Sequence, residues 1–156
     1  MIIMRGLELR VPPPALLLVT GALMWFVARA LPLFGFVFPG RDLCAAAIAC
    51  AGIVTAALGV IAFRRARTTL NPLKPELSAS LVVSGIYART RNPMYLGLLL
   101  ILTGWAVYLS NIPVFLLLPA FVFYLNRFQI EPEERALGKL FGESFAAYQA
   151  RSRRWL

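Results

Sequence analysis

Four apolar runs, at residues 15–38, 44–63, 94–109 and 114–130, take up about half of this 156-residue chain. A run of about 20 apolar residues crosses the hydrocarbon layer as a helix, since a helix satisfies its own backbone groups where no water can. A chain that is 60% hydrophobic and 15% charged cannot bury four such runs in a water-soluble core of this size. The runs therefore predict an all-α fold, a polytopic membrane helical bundle of about four spans in one domain over residues 1–156.

Turn-forming residues set the path between the runs. Arg5, Arg10 and the Pro12-Pro13-Pro14 triplet precede the first one. Its residues 27–30, VARA, resemble a signal-peptide cleavage site, but the apolar character continues through LPLFGFVF. The run is read as a membrane helix with Phe34, Phe36 and Phe38 at its interfacial end. The second run is rich in Ala and Gly, which permits close helix packing. The loop over residues 64–93 carries Pro72, Pro75, Gly85 and Pro93, all opposed to a continuous helix, and Pro93 suits the first turn of the third run. SNIP, residues 110–113, makes a tight reversal, so the third and fourth runs are antiparallel neighbours. Pro119 in the fourth run is either an ordinary tolerated membrane proline or a kink that widens a lateral opening.

The basic residues orient the bundle. Arg64, Arg65, Arg67, Lys74, Arg89 and Arg91 lie between the second and third runs, and Arg127, Arg135, Lys139, Arg151, Arg153 and Arg154 close or follow the fourth, whereas the hairpin tip has none. Positive charge stays inside, which puts both termini and the loop on the cytoplasmic side of a bacterial-type inner membrane. Because the arginines sit at the ends of apolar runs, the counter-charge expected for the net +9 is membrane lipid headgroups and no nucleic acid. The chain has no histidine, which removes the usual imidazole base and the commonest metal ligand, so no metal is expected. Cys44 and Cys50 share one small-residue apolar run and are expected to be inert buried thiols.

Residues 131–156 stop looking like a span. Pro132 suits a first helical position, Glu133 and Glu134 fall where the helix dipole favours negative charge, and Leu137, Leu140, Phe141, Phe145 and Tyr148 make an apolar face around Gly142. This segment is expected to be a cytoplasmic interfacial helical cap. The hairpin then brings two polar clusters together: SGIYARTRNPMY, residues 84–95, and Arg127, Glu131, Glu133 and Glu134 at the end of the fourth run. Arginines at a membrane surface can simply reach for phosphates. Arg127, Glu131 and Glu134 can likewise simply pair along a helix, although Pro132 is expected to break that ladder.

Residues 81–97, LVVSGIYARTRNPMYLG, followed by a short hairpin and by residues 133–148, EERALGKLFGESFAAY, closely resemble the isoprenylcysteine carboxyl methyltransferase and phospholipid methyltransferase type of integral membrane methyltransferase. TTLNP at residues 68–72 also looks like bacterial members. The resemblance covers about the last ninety residues and implies S-adenosylmethionine as cofactor, held by Gly85, Tyr87, Arg91, Asn92, Pro93 and Tyr95 on one side and Glu133 and Glu134 on the other. The isoprenylcysteine enzymes usually have histidine where this chain has Asn92, whose amide can donate a hydrogen bond but cannot titrate near neutrality.

Elementary chemistry agrees with that cofactor. Its carboxylate suits a guanidinium, with Arg91 the candidate, and its ribose diol suits a carboxylate, with Glu134 the candidate. Tyr87 and Tyr95 either wall the adenine and sulfonium or serve as interfacial tyrosines. A sulfonium methyl is already activated, so catalysis is mainly alignment, which can supply on the order of 7 to 11 kcal/mol. The lipid-like or amphipathic acceptor would be held by Arg127 or Arg89 if it is a carboxylate, the favoured isoprenylcysteine-type O-methylation. A phospholipid amine would need Glu131 or Glu133 as base. A membrane reductase using a nicotinamide dinucleotide, with phosphates met by the residue 64–74 loop, is a second enzyme reading. A non-catalytic small membrane protein is a third, against which stands the near absence of ionisable residues within the spans.

Overall fold

The computed structural model describes residues 8–66 and 80–156. TTLNP at 68–72, Arg67, Lys74, Pro75 and Arg5 lie outside the described residues. Helix α1 is Pro13–Ala30, α2 is Arg41–Arg65 and α3 is Pro93–Leu109. A 3-10 turn at Ile112–Leu116 leads into α4, Leu117–Leu125, and a π-helical turn at Asn126–Ile130 joins α4 to α5, Glu131–Phe141; α6 is Glu143–Arg151. No β-strand occurs among the described residues, only two isolated bridges.

Three helical segments are long and apolar enough to cross a membrane: Pro13–Ala30, Arg41–Arg65 and Ile112–Phe141, while Pro93–Leu109 is a shorter apolar helix. At 1.5 Å per residue, α3 is roughly 26 Å long, slightly under the hydrocarbon thickness. Outward-facing Leu18, Phe26, Leu43 and Phe123 are largely exposed, as a surface solvated by lipid requires.

Three expectations need correcting. The first helix stops at Ala30 and not near residue 38, because Leu31 leaves helical geometry ahead of a 3-10 turn at Pro32–Phe34. Phe36 and Phe38 stack at the bundle's far end, outside the helix. Cys44 and Cys50 are exposed on the outer face of α2, so they are not buried thiols. Of the two readings of Pro119, its place near the start of α4, just after the 3-10 turn, agrees with an ordinary tolerated membrane proline. Finally, Pro132 does not break the rod: helix continues from Ile112 to Phe141. The π-helical turn absorbs it, with Glu131 N–H donating to the Asn126 carbonyl, five residues back. A helical N–H at position 132 would have bonded the Phe128 carbonyl; Leu9 N–H donates to it instead at 2.9 Å.

Glycine spacing explains the tightest packing, that of α2 against α3. Gly52 and Gly59 recur two turns apart on α2, as Gly97 and Gly104 do on α3. A Cβ on Gly97 would stand 2.6 Å from the Gly52 carbonyl oxygen, and one on Gly104 would stand 2.7 Å from that of Ala45. Backbones this close gain dispersion and exclude lipid, which replaces the hydrophobic effect as the associating force inside a bilayer. Trp105 Nε1 donates to the Gly21 carbonyl at 3.0 Å, tying α1 to the same pair. At the far end Ser110 takes left-handed φ of 47° and ends α3, while Asn111 Nδ2 donates to the Leu31 carbonyl at 2.8 Å.

Between α1, α2 and α3 lies an apolar cleft of about 770 Å³, lined among others by Leu17, Gly21, Ala45, Ala49, Gly104 and Trp105. It belongs to the half of the bundle remote from the polar clusters and takes in none of the candidate site residues.

Candidate functional site

The basic end of the bundle is built from three pieces of chain: the segment leading into α3, the first turn of α5 and the residues after α6. Ser84 is extended and Gly85 turns the chain at φ of 64° into a 3-10 turn, Gly85–Ala88. That conformation favours glycine, and nothing lies within 4 Å of where a Cβ would stand on Gly85. The turn buries Tyr87 in a small core with Val82, Phe145 and Tyr148, edge-on to Phe63 at 5.3 Å. Pro93 is buried at the start of α3.

The helix hairpin brings α5 alongside. Arg91 Nε meets Glu134 Oε1 at 3.3 Å, and the Tyr95 hydroxyl donates to Glu133 Oε1. Both side chains of the Arg91–Glu134 pair are only 14% exposed, so the pair is screened far less than a surface one. Arg91 does further work: its Nη1 donates to the Gln149 carbonyl at 3.2 Å and to the Ser152 carbonyl. The arginine read as a partner for a cofactor carboxylate is thus also the staple that holds the end of α6.

The chain after α6 crosses this site as a strap. Arg91 N–H donates to the Arg153 carbonyl at 2.8 Å and Arg153 N–H to the Arg89 carbonyl at 3.3 Å, a short parallel bridge. Asn92 is buried and its Nδ2 donates to the Arg154 carbonyl at 2.9 Å, so its amide is engaged with backbone. Trp155 Nε1 donates to Asn126 Oδ1 at 3.0 Å. Arg154 itself folds back onto Glu134, using both Nε and Nη2. The sequence reads Arg154 only as an orienting charge and gives Trp155, Gln149 and Ser152 no role. The available signal was the cation excess and terminal aromatic of RSRRWL, beyond what orientation requires.

Arg127 and Glu131 fall elsewhere. Arg127 Nη1 meets Glu8 at 3.2 Å and Glu131 at 3.4 Å, and Arg135 meets Glu8 at 2.6 Å. With Leu9 on Phe128 and Gln129 Nε2 on the Val11 carbonyl at 2.6 Å, this cluster pins the entry of α1 to the end of α4. Glu8 was not anticipated, because its partners lie more than a hundred residues away. Arg89 is exposed at the rim of the strap.

The two tyrosines of the small core are held protonated. Burial raises Tyr148 from 10.0 to about 12, and burial, then Tyr148 and Glu133, raise Tyr87 well above its ordinary value. The Tyr148 hydroxyl donates to the Tyr87 carbonyl at 2.8 Å. Above pH 10 the unfolded chain releases a tyrosine proton that the folded chain keeps. Stability is therefore full below pH 10 and is lost as pH rises towards about 12, at roughly 1.4 kcal/mol per pH unit for each such group. Tyr148→Phe is expected to cost about 1 kcal/mol at pH 7 and to flatten this alkaline loss, as thermal melts in detergent between pH 8 and 12 would measure.

The model of the phospholipid methyltransferase family matches residues 41–144, from α2 through the start of α6. A Haemophilus influenzae relative, described only as an uncharacterized protein, is 43% identical over 63 residues, 40% of this chain and 100% of the relative. No solved structure matches. The family match takes in the glycine seam, the Gly85 turn, the Arg91–Glu134 pair and the Glu133–Tyr95 contact together, and the chain belongs to the phospholipid methyltransferase family of membrane methyltransferases.

Proposed function

We propose that this protein uses S-adenosylmethionine, bound at the basic end of the bundle, to methylate a lipid-like or amphipathic acceptor. The observation that supports this most directly is that both carboxylates of the Glu133-Glu134 pair face the α3 entry segment, one on Tyr95 and one on Arg91. The side chains suit such a donor. Glu134 offers acceptor oxygens for a ribose diol, Arg91 offers a guanidinium donor for a carboxylate, and the open space beside Gly85 leaves backbone accessible. When bound, this cofactor supplies a methyl group on a positively charged sulfur. The chain's own task is to hold the reactants in line and exclude water, for which Tyr95, beside Glu133, is the available wall.

The acceptor favoured here is a carboxylate of the isoprenylcysteine type. Such a nucleophile is already deprotonated and needs no base, which suits a chain without histidine and with Asn92 in the entry segment. Arg89, exposed at the rim, is better disposed to meet it than Arg127, whose guanidinium is committed to Glu8 and Glu131. A phospholipid amine is the second reading, favoured by the family match; Glu133 would then have to serve as base, with Glu131 farther along the same turn.

Incubation of the purified protein with methyl-labelled cofactor and, separately, an isoprenylated cysteine derivative, phosphatidylethanolamine vesicles and a total membrane lipid extract decides between them. Label is expected in the isoprenylated carboxylate. Label in the ethanolamine headgroup alone establishes the second reading, and no label in any of the three defeats both.

A further inference from the structure

We propose that Arg154 is a gate on the cofactor site: its guanidinium covers Glu134, and donor binding displaces it to solvent while the strap that carries it stays in place. The inference rests on the donor reading above, with Glu134 as the carboxylate that takes the ribose diol.

Three observations carry it. First, Glu134 holds two guanidiniums at once, Arg91 through Nε and Arg154 through Nε and Nη2. One carboxylate neutralises one of these cations, so removing Arg154 leaves a matched Arg91–Glu134 pair, and its departure leaves no buried charge unpaired. Second, the two arginines differ in freedom. Arg91 is 14% exposed and additionally bonds the Gln149 and Ser152 carbonyls, whereas the Arg154 side chain is 37% exposed and reaches for Glu134 alone among the contacts described. The exchangeable cation is Arg154.

Third, the strap does not depend on that side chain. The Arg154 carbonyl accepts from Asn92 Nδ2 and from the Thr90 hydroxyl, Arg153 is bridged to residues 89 and 91 through backbone, and Trp155 is tied to Asn126. Arg154 is thus mounted on a fixed base with a free arm. Bidentate occupation of Glu134 is what a ribose diol would have to replace, since both donors compete for the same two oxygens. A donor that already carries a positive sulfur also gains when one of two nearby cations leaves.

The test is calorimetric titration of S-adenosylhomocysteine into wild type, Arg154→Ala and Arg154→Lys in lipid nanodiscs. It is paired with phenylglyoxal labelling of the wild type with and without that ligand, read at Arg154 by mass spectrometry against exposed Arg10. Removing a competitor worth one charge-assisted hydrogen bond is expected to tighten binding about tenfold in Arg154→Ala, with Arg154→Lys between the two. Arg154 is expected to label severalfold faster in the loaded wild type, with Arg10 unchanged.

A merely structural arginine would weaken binding when removed, so equal or weaker binding by Arg154→Ala overturns the gate. Unchanged or slower labelling on loading overturns it as well, and decides alone if the variant does not fold. If the folded wild type does not bind the ligand at all, the donor reading falls and the gate with it; if it binds but neither signature is seen, the gate alone falls.

Discussion

Glu134→Gln is expected to weaken S-adenosylhomocysteine binding by about 10- to 100-fold and to remove methyl transfer with it. On the proposed donor reading the lost interaction is a charge-assisted bond to the cofactor diol, of the order of 1.5–3 kcal/mol, and such a loss is felt before chemistry begins. A glutamine also leaves Arg91 and Arg154 facing one another without their carboxylate, so the melting temperature is expected to fall. Glu143→Gln, at the exposed start of α6, changes charge equally without touching either arginine and should leave binding and melting unaltered. Calorimetry on the two variants separates a role at the site from a general effect of charge. Equal affinities in Glu134→Gln and wild type would remove Glu134 from the cofactor site.

Gly97→Leu is expected to have the largest structural effect of any single change at the spans. Its Cβ would lie 2.6 Å from the Gly52 carbonyl and 2.7 Å from Ala56 Cβ and N, all of them rigid helix atoms. Relief requires α2 and α3 to separate, which forfeits close contact along the whole glycine seam. Overpacking of this kind costs about 1–3 kcal/mol where side chains can move, and here backbone would have to move. Loss of monodisperse, thermally cooperative protein in mild detergent is the expected readout. Gly21→Ala serves as the control: the nearest atoms to its added methyl are side-chain carbons at 3.9 and 4.0 Å, so it should be tolerated.

The two predictions draw on parts of the molecule that differ in how legible they were. The apolar runs, the reversal at SNIP and the positive charge at one end of the bundle are local properties of the chain. They sufficed to say that the α3 entry segment would meet the first turn of the following cap, as Arg91–Glu134 and Tyr95–Glu133 do. Boundaries were less legible. The first helix looked longer than it is, since Phe34–Phe38 is as apolar as a span although Pro32 prevents its continuing as one. Pro132 looked like a break, since a proline's own missing bond is visible in sequence whereas the π-helical turn and the distant Leu9 amide that accommodate it are not.

By itself, then, the sequence determined that this chain is a helical membrane bundle with a third-fourth hairpin and with two polar segments at one end, because hydrophobic length, turn chemistry and charge asymmetry act on neighbours along the chain. Tertiary structure alone decided which charge each of those polar side chains meets. Glu8 went to Arg127 and Arg135, the end of α6 went to Arg91, and Arg154 went to Glu134. An arginine carries no periodicity that names its partner, and a guanidinium at a crowded interface takes whichever carboxylate or carbonyl the packed backbone brings within about 3 Å.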